Sequence, residues 1–325
     1  MLLLTRNDVV RVLNMPDCME VIEKAFVELS SGTASMPLRI NITPLDGLAL
    51  YMPAYLEEMG ALVCKVVTSY RNNPMKYNVP TILGKVLLQN PETGDVICIM
   101  EGEYFTAIRT GAASGVATKY LARKDKRQKV GIFGAGVQAR TQLWAMAVAR
   151  DLAMAYVYDI VDEAVMKFIE EMSTKLDLEI VRADSPDHVL GEVDIICTAT
   201  SSPTPIFDGY KIREGTHINS VGSHFPNVRE LDTTTIKRSK LIADSYEACL
   251  NEAGDIMIPI QEGAINKSHL HAEIGEIITG KKPGRTDDKE ITLFKSNGLA
   301  IQDAATAKLV YEKAVQAGIG TEVEL

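Results

Sequence analysis

The sequence predicts an α/β protein: a doubly wound parallel sheet accompanied by a second, α+β domain. Three observations predict it. The apolar run Val130–Phe133 leads straight into the glycine turn Gly134-Ala135-Gly136 and a helical pattern that lasts to Arg150. A second apolar run, Ala155–Tyr158, ends on Asp159, closing a strand–helix–strand unit with a carboxylate at its tip. Strands and helices then keep alternating, whereas Met36–Met100 reads as strands alone.

Each residue type in the glycine turn answers a separate need. Gly134 permits the tight turn, Gly136 lets the backbone approach a pyrophosphate, and Ala139 is small enough for the helix to pack on the strand. Ala135, Val137 and Gln138 complete the loop, whose free N–H groups and positive helix end face the phosphates. Asp159, 23 residues after Gly136, is placed to accept hydrogen bonds from an adenosine ribose diol. A carboxylate there repels a 2′-phosphate, and no Arg or Lys occurs between 160 and 166, so the expected cofactor is NAD rather than NADP.

The other elements follow in order. Thr5 caps a short helix over Asn7–Leu13, and Pro16 opens a longer one that Gly32 closes. Strands are expected over Arg39–Thr43, Leu48–Met52 and Ala61–Val67, with a hairpin over Thr81–Met100 turning at Asn90–Gly94. A helix over Glu101–Leu121 carries the small-residue stretch Arg109–Gly115, and the change of pattern puts a domain boundary near residue 122. Beyond Asp159 come a helix over Val161–Leu176, a strand over Glu179–Val181 and a helical turn over Asp184–Leu190. Strands Val193–Thr198, His217–Gly222, Lys240–Asp244 and Ile291–Phe294 follow, and a helix from Leu299 to Ala317 ends the series.

At 325 residues, nearly half of them apolar, the chain is long enough for two domains with sizeable cores. A net charge of −9 argues against nucleic acid or an anionic membrane as partner, since both demand clustered Lys and Arg. Five scattered cysteines without a CxxC pair read as reduced thiols, and no apolar stretch approaches membrane-spanning length, so a cytoplasmic protein is expected.

Four residues stand out for chemistry. Lys65 is the one charge in Ala61–Val67: it is either an edge-strand lysine that discourages aggregation or a desolvated amine able to hold a carboxylate and exchange protons. Arg109, among alanines and glycines, needs a partner, either a substrate carboxylate or an internal Asp or Glu; Arg39 is a similar case. His224 follows a strand end, where open α/β sheets place their ligands, and is either a proton donor or a solvated loop histidine. His217 reads as structural. His269, His271 and Glu273 lack a third convergent ligand at recognisable spacing, so no metal is expected.

Taken together, Met52-Pro-Ala54, Lys65-Val-Val67, Pro80-Thr81, Ile108–Ala113, Gly134–Gln138, His217–Gly222, Pro226 with Arg229–Asp232, Gly275–Ile277, Phe294–Ser296, Gly298 and Asp303 resemble the ornithine cyclodeaminase/mu-crystallin family, over about Leu4–Val315. The resemblance implies a homodimeric NAD(P) oxidoreductase, in which 1–122 with 300–325 form the substrate-binding and dimerisation domain and 123–299 the Rossmann domain. It implies that Arg39, Lys65 and Arg109 bind the substrate carboxylate and its surroundings. Thr81, the glycine loop, Asp159, Thr198-Ala199-Thr200, Val221 and Ser296 match cofactor contacts.

Two departures narrow the function. Where similar cyclodeaminases carry a glutamate before the Met-Pro and an aspartate after the Val-Gly, this chain has Leu50 and His224, and Asn297 stands where an apolar residue is usual. Loss of both carboxylates argues against ornithine cyclisation. The expected activity is hydride transfer between NAD and the C–N centre of a small imino or amino acid, as in a ketimine or pyrroline-2-carboxylate reductase. Lys65 or His224 would handle the proton, and Leu50 would line the pocket. Alanine dehydrogenase-like reductive amination of a 2-oxo acid, ornithine cyclodeamination and non-enzymatic cofactor binding of the mu-crystallin type are the alternatives.

Overall fold

The computed structural model describes residues 1–125, 127–223 and 225–324. β1 (Leu2–Leu4) runs into α1 (Arg6–Val12), where Thr5 and Asp8 cap each other's backbone reciprocally. α2 (Met15–Ser31) starts behind Asn14, with Pro16 in its first turn, and stops at a left-handed Gly32. Then come β2 (Ala34–Ser35), β3 (Ile40–Ile42), β4 (Gly47–Leu56), β5 (Ala61–Tyr70), α3 (Asn73–Tyr77), β6 (Ile82–Gln89) and β7 (Val96–Glu101). β4 and β5 are longer than their apolar runs because they pair antiparallel without a break from Gly47↔Tyr70 to Leu56↔Ala61. That register sets Met52 opposite Lys65 and Leu50 opposite Val67, so all four share one face of the sheet.

α4 (Glu103–Leu121) follows. The chain divides into two compact units, 1–109 with 299–325 and 110–298. The division thus falls inside α4, before the expected residue 122. The second half of the helix belongs with the later residues: a Cβ on Gly111 would lie 2.5 Å from the Thr141 carbonyl oxygen, and Thr118 Oγ1 accepts from Asn219 Nδ2 at 2.9 Å.

In the second unit β8 (Gln128–Phe133), α5 (Val137–Ala149), β9 (Leu152–Tyr158), α6 (Asp162–Leu176), β10 (Ile180–Arg182), α7 (Pro186–Glu192), β11 (Ile195–Thr198) and β12 (His217–Ser220) alternate as the sequence predicts. The stretch 225–290, little of which is legible in the sequence, supplies α8 (Thr233–Arg238), β13 (Ser239–Ala243), α9 (Tyr246–Glu252), α10 (Gly254–Gln261), β14 (Leu270–Glu273) and α11 (Ile274–Ile278). β15 (Ile291–Lys295) closes the unit. All eight strands run parallel, in the order β10-β9-β8-β11-β12-β15-β13-β14. Strand order reverses at β8/β11, which opens a crevice beyond the carboxyl ends of these two strands.

α12 (Ala300–Ala317) and β16 (Thr321–Glu322) return to the first unit. Its sheet reads β16-β1-β7-β6-β5-β4-β2, with β3 on β4, and α12 packs on α2 and across β4, β5 and β6. The protein is therefore an α/β molecule with a doubly wound sheet and a separate α+β unit.

Candidate active site

Within the first unit, three elements bring charge into the core. Lys65 comes from the middle of β5, Arg109 from α4, and Gln302 and Asp303 from the first turn of α12; all four are buried. Lys65 Nζ donates to Asp303 Oδ1 at 2.9 Å and lies 2.9 Å from Oδ2. Arg109 Nε lies 3.0 Å from Asp303 Oδ1, while its Nη1 donates to Gln302 Oε1 at 2.7 Å. Arg109 thus meets an internal carboxylate, one of the two partners its sequence context allows.

Two buried cations share that carboxylate, so the trio carries one positive charge in excess when Lys65 is protonated. Burial, with the Arg109 charge beside it, pulls Lys65 down to about 7, and Arg39 adds to the same effect. Gln302 Nε2 is a buried donor without a hydrogen-bond partner among the described residues. An excess cation next to an unfilled donor is what a carboxylate ligand would satisfy. Leu50 is half-buried on the face of the sheet that carries Lys65. Thr81 sits just before β6, its carbonyl accepting from Tyr70 N at 2.8 Å. His224 lies outside the described residues.

In the second unit the glycine turn lies at the β8/β11 crevice. Gly134 has φ +99°, and a Cβ on it would lie 2.5 Å from the Ala199 carbonyl oxygen, so the turn closes against the loop after β11. Gly136 is the N-cap of α5, without a side-chain cap, and a Cβ there would meet nothing within 4 Å. Ala135 is buried while Gly136 and Val137 are exposed, and Gln138 is half-buried behind them. Uncapped helix N–H groups facing open space fit a pyrophosphate. Asp159 Oδ2 accepts from Ala135 N at 2.8 Å and Oδ1 from Val161 N at 3.0 Å, which fixes the carboxylate beside the turn. Each oxygen keeps a lone pair for a ribose hydroxyl.

Two further carboxylates were not singled out from sequence. Glu230 Oε1 accepts from Thr200 N at 2.7 Å and Thr200 Oγ1 at 2.6 Å, and its Oε2 from Thr198 Oγ1 at 3.0 Å and Gly222 N at 2.9 Å. Burial and the nearby Asp255 push its carboxyl up. Asp244 Oδ2 accepts from Ser296 Oγ, Asn297 N and Gly298 N at 3.0, 2.7 and 3.0 Å, which shapes the turn after β15. Asn297 is nearly buried and aims its Nδ2 at Cys249 Sγ, 3.8 Å away, so the amide packs inward where an apolar side chain would otherwise sit. Val221 is held by its N–H to the Thr198 carbonyl at 3.0 Å.

His217 is buried against Thr292 Oγ1, and burial, aided by Arg285, pulls it down to about 3, so it stays neutral. His269 and His271 each spend Nε2 on a backbone carbonyl. Among the described residues no group of three or more His, Cys, Asp or Glu could hold a metal ion.

The model of the ornithine cyclodeaminase/mu-crystallin family matches residues 1–318. The chain belongs to this family. Among its members, a Delta(1)-pyrroline-2-carboxylate reductase of Thermococcus litoralis, solved in complex with NADH and L-proline, is 52% identical. It superposes with a TM-score of 0.96, covering 99% of this chain and 100% of that one. A Delta(1)-pyrroline-2-carboxylate reductase of Bacillus cereus is 38% identical over the full length of both chains. An archaeal alanine dehydrogenase, solved as a dimer with bound NAD, is 36% identical with a TM-score of 0.94, over 100% of this chain and 99% of that one.

Proposed function

We propose that the protein is an NAD-dependent reductase of a small cyclic imino acid, forming L-proline from Δ1-pyrroline-2-carboxylate. The observation that carries this reading is the pair of buried cations, Lys65 and Arg109, sharing Asp303: their excess charge calls for one ligand carboxylate. Relatives that reduce this imine, one of them holding NADH and proline, support it. The cofactor, held by the glycine turn and Asp159, supplies a hydride when bound. The substrate takes that hydride at C2 and a proton at nitrogen.

Lys65, Arg109 and Arg39 orient the substrate by its carboxylate, and Leu50 supplies an apolar wall. Lys65 Nζ also gives the proton to nitrogen and recovers it from solvent. An amine at about 7 is poised for that exchange. Thr81, Thr198–Thr200, Val221 and Ser296 frame the cofactor. Ser296 does so through its backbone, because its hydroxyl is committed to Asp244.

The first unit also carries exposed apolar residues. Leu45 is 99% exposed and Met75 90%, both at the end of the sheet where β3 stops and β5 turns into β6, and all three residues of β3 are exposed. We infer that a second copy of the chain covers them; that a relative is solved as a dimer supports this reading. No helix of the described residues is long and apolar enough to cross a membrane. The five free cysteines support a cytoplasmic location.

The test is NADH oxidation by the purified protein with Δ1-pyrroline-2-carboxylate, Δ1-piperideine-2-carboxylate, and pyruvate plus ammonium. Turnover of the cyclic imines without ammonium is expected. Turnover restricted to pyruvate plus ammonium would replace this reading with an alanine dehydrogenase, and NADH binding without turnover would leave a binding protein.

A further inference from the structure

Glu230 is far from the glycine turn in sequence, yet its carboxylate joins two loops at the carboxyl edge of the second unit's sheet. Thr198 ends β11 and Thr200 belongs to the loop after it; Gly222 belongs to the loop after β12. The approach at Gly222 is so close that a Cβ there would lie 2.4 Å from both carboxylate oxygens, so this position has to be glycine for its N–H to reach Glu230.

The carboxylate is itself anchored. Asp255 Oδ1 accepts from the backbone N–H groups of Glu230 and Leu231 at 2.8 and 2.9 Å, and Asp255 Oδ2 accepts from Lys295 Nζ at 2.7 Å. Lys295, buried at the end of β15, also donates to the Ser223 carbonyl at 2.6 Å, one residue beyond Gly222. A continuous buried chain, Lys295–Asp255–Glu230, thus ends on the backbone of two loops. A surface hydrogen bond would not need three buried charges behind it.

We propose that Glu230 is a positioning residue for the cofactor: by tying Thr198–Thr200 to Gly222 it fixes the spacing of the two loops against which the nicotinamide half of NADH settles. The proposal rests on the reading that NADH binds along this edge. Glu230 touches no reacting atom. Its loss loosens the loops and weakens cofactor binding, while the cations of the first unit keep their own geometry. Glu230→Gln keeps the shape but turns an NH2 group toward an N–H or hydroxyl donor, replacing attraction with repulsion.

The experiment titrates NADH into the full-length wild type and into Glu230→Gln, Thr200→Val and Thr200→Ser, with steady-state kinetics and thermal melts alongside. Glu230→Gln is expected to weaken NADH binding and raise its KM about tenfold or more, the effect of losing a charge-assisted hydrogen bond. Turnover at saturating NADH should change far less. Thr200→Val should share the defect and Thr200→Ser, which restores the hydroxyl donor, should relieve it. Unchanged NADH affinity in Glu230→Gln overturns the proposal, as does a fall in turnover and melting temperature without a change in KM. If Glu230→Gln fails to fold, Glu230→Asp, which keeps the charge but shortens its reach to both loops, decides by the same criteria. Failure of the wild type to bind NADH would instead overturn the underlying reading.

Discussion

The two units bury charge in opposite ways. In the second, Glu230 and Asp244 each receive four hydrogen bonds from backbone and hydroxyl donors, so their oxygens are filled before any ligand arrives. In the first, Lys65 and Arg109 divide Asp303 between them, and Gln302 Nε2 is left without a hydrogen-bond partner among the described residues. A saturated carboxylate holds loops still, whereas an unsaturated cation cluster waits for something to complete it. Both sets are buried, and what separates them is whether the fold already satisfies the charge.

The largest effect is expected from changing the charge balance of the first cluster. Lys65→Met leaves Arg109 and Asp303 as a one-to-one pair. Turnover should fall by about 10²–10⁴-fold, the usual worth of a proton-transfer group, while NADH affinity and melting temperature hold or rise. Retained turnover removes Lys65 from the reaction. Asp303→Asn does the reverse, stranding two buried cations, and should cost about 3–5 kcal/mol in denaturant-unfolding stability. A loss below about 1 kcal/mol would mean that the cations find water.

The pH profile probes the same cluster more gently. Lys65 is lowered to about 7, so its protonated form, and with it the excess charge, is present below that pH and is lost as pH rises through it. kcat/KM for imine reduction should fall across that window, and proline oxidation with NAD, which needs the neutral amine as base, should rise. A profile unchanged in Lys65→Met assigns the titration elsewhere. Smallest is the expected effect of Asp159→Ser: the protein still folds and turns over, but the preference for NADH over NADPH narrows, which paired KM measurements would read. An unaltered ratio removes Asp159 from the ribose site.

Much of this was legible in the sequence because the signals are local. The glycine turn, its strands and Asp159 lie within one continuous stretch, and β8 to β12 follow in order. Lys65 and Arg109 stand out as charges in apolar runs. Asp303 was visible only as a matching position, because nothing near it in sequence reveals that a helix begun beyond the second unit will reach β5. Glu230 was missed for the same reason. In Arg229-Glu230-Leu231-Asp232 it is one of three neighbouring charges, and only the fold delivers Thr198, Thr200 and Gly222 to it. The stretch 225–290 resisted reading because its helices are short, as in α9, or interrupted, as by Pro259 in α10, so periodicity has little length in which to show.

α12 closes the first unit from the far end of the chain. Asp303 follows Lys65 by 238 positions, so the entire second unit is synthesised before the buried lysine and arginine can meet their counter-ion. The second unit is one uninterrupted segment and can close on itself during synthesis. The first unit, begun before the second, is therefore completed after it, and its buried cations stay without their counter-ion until α12 is made.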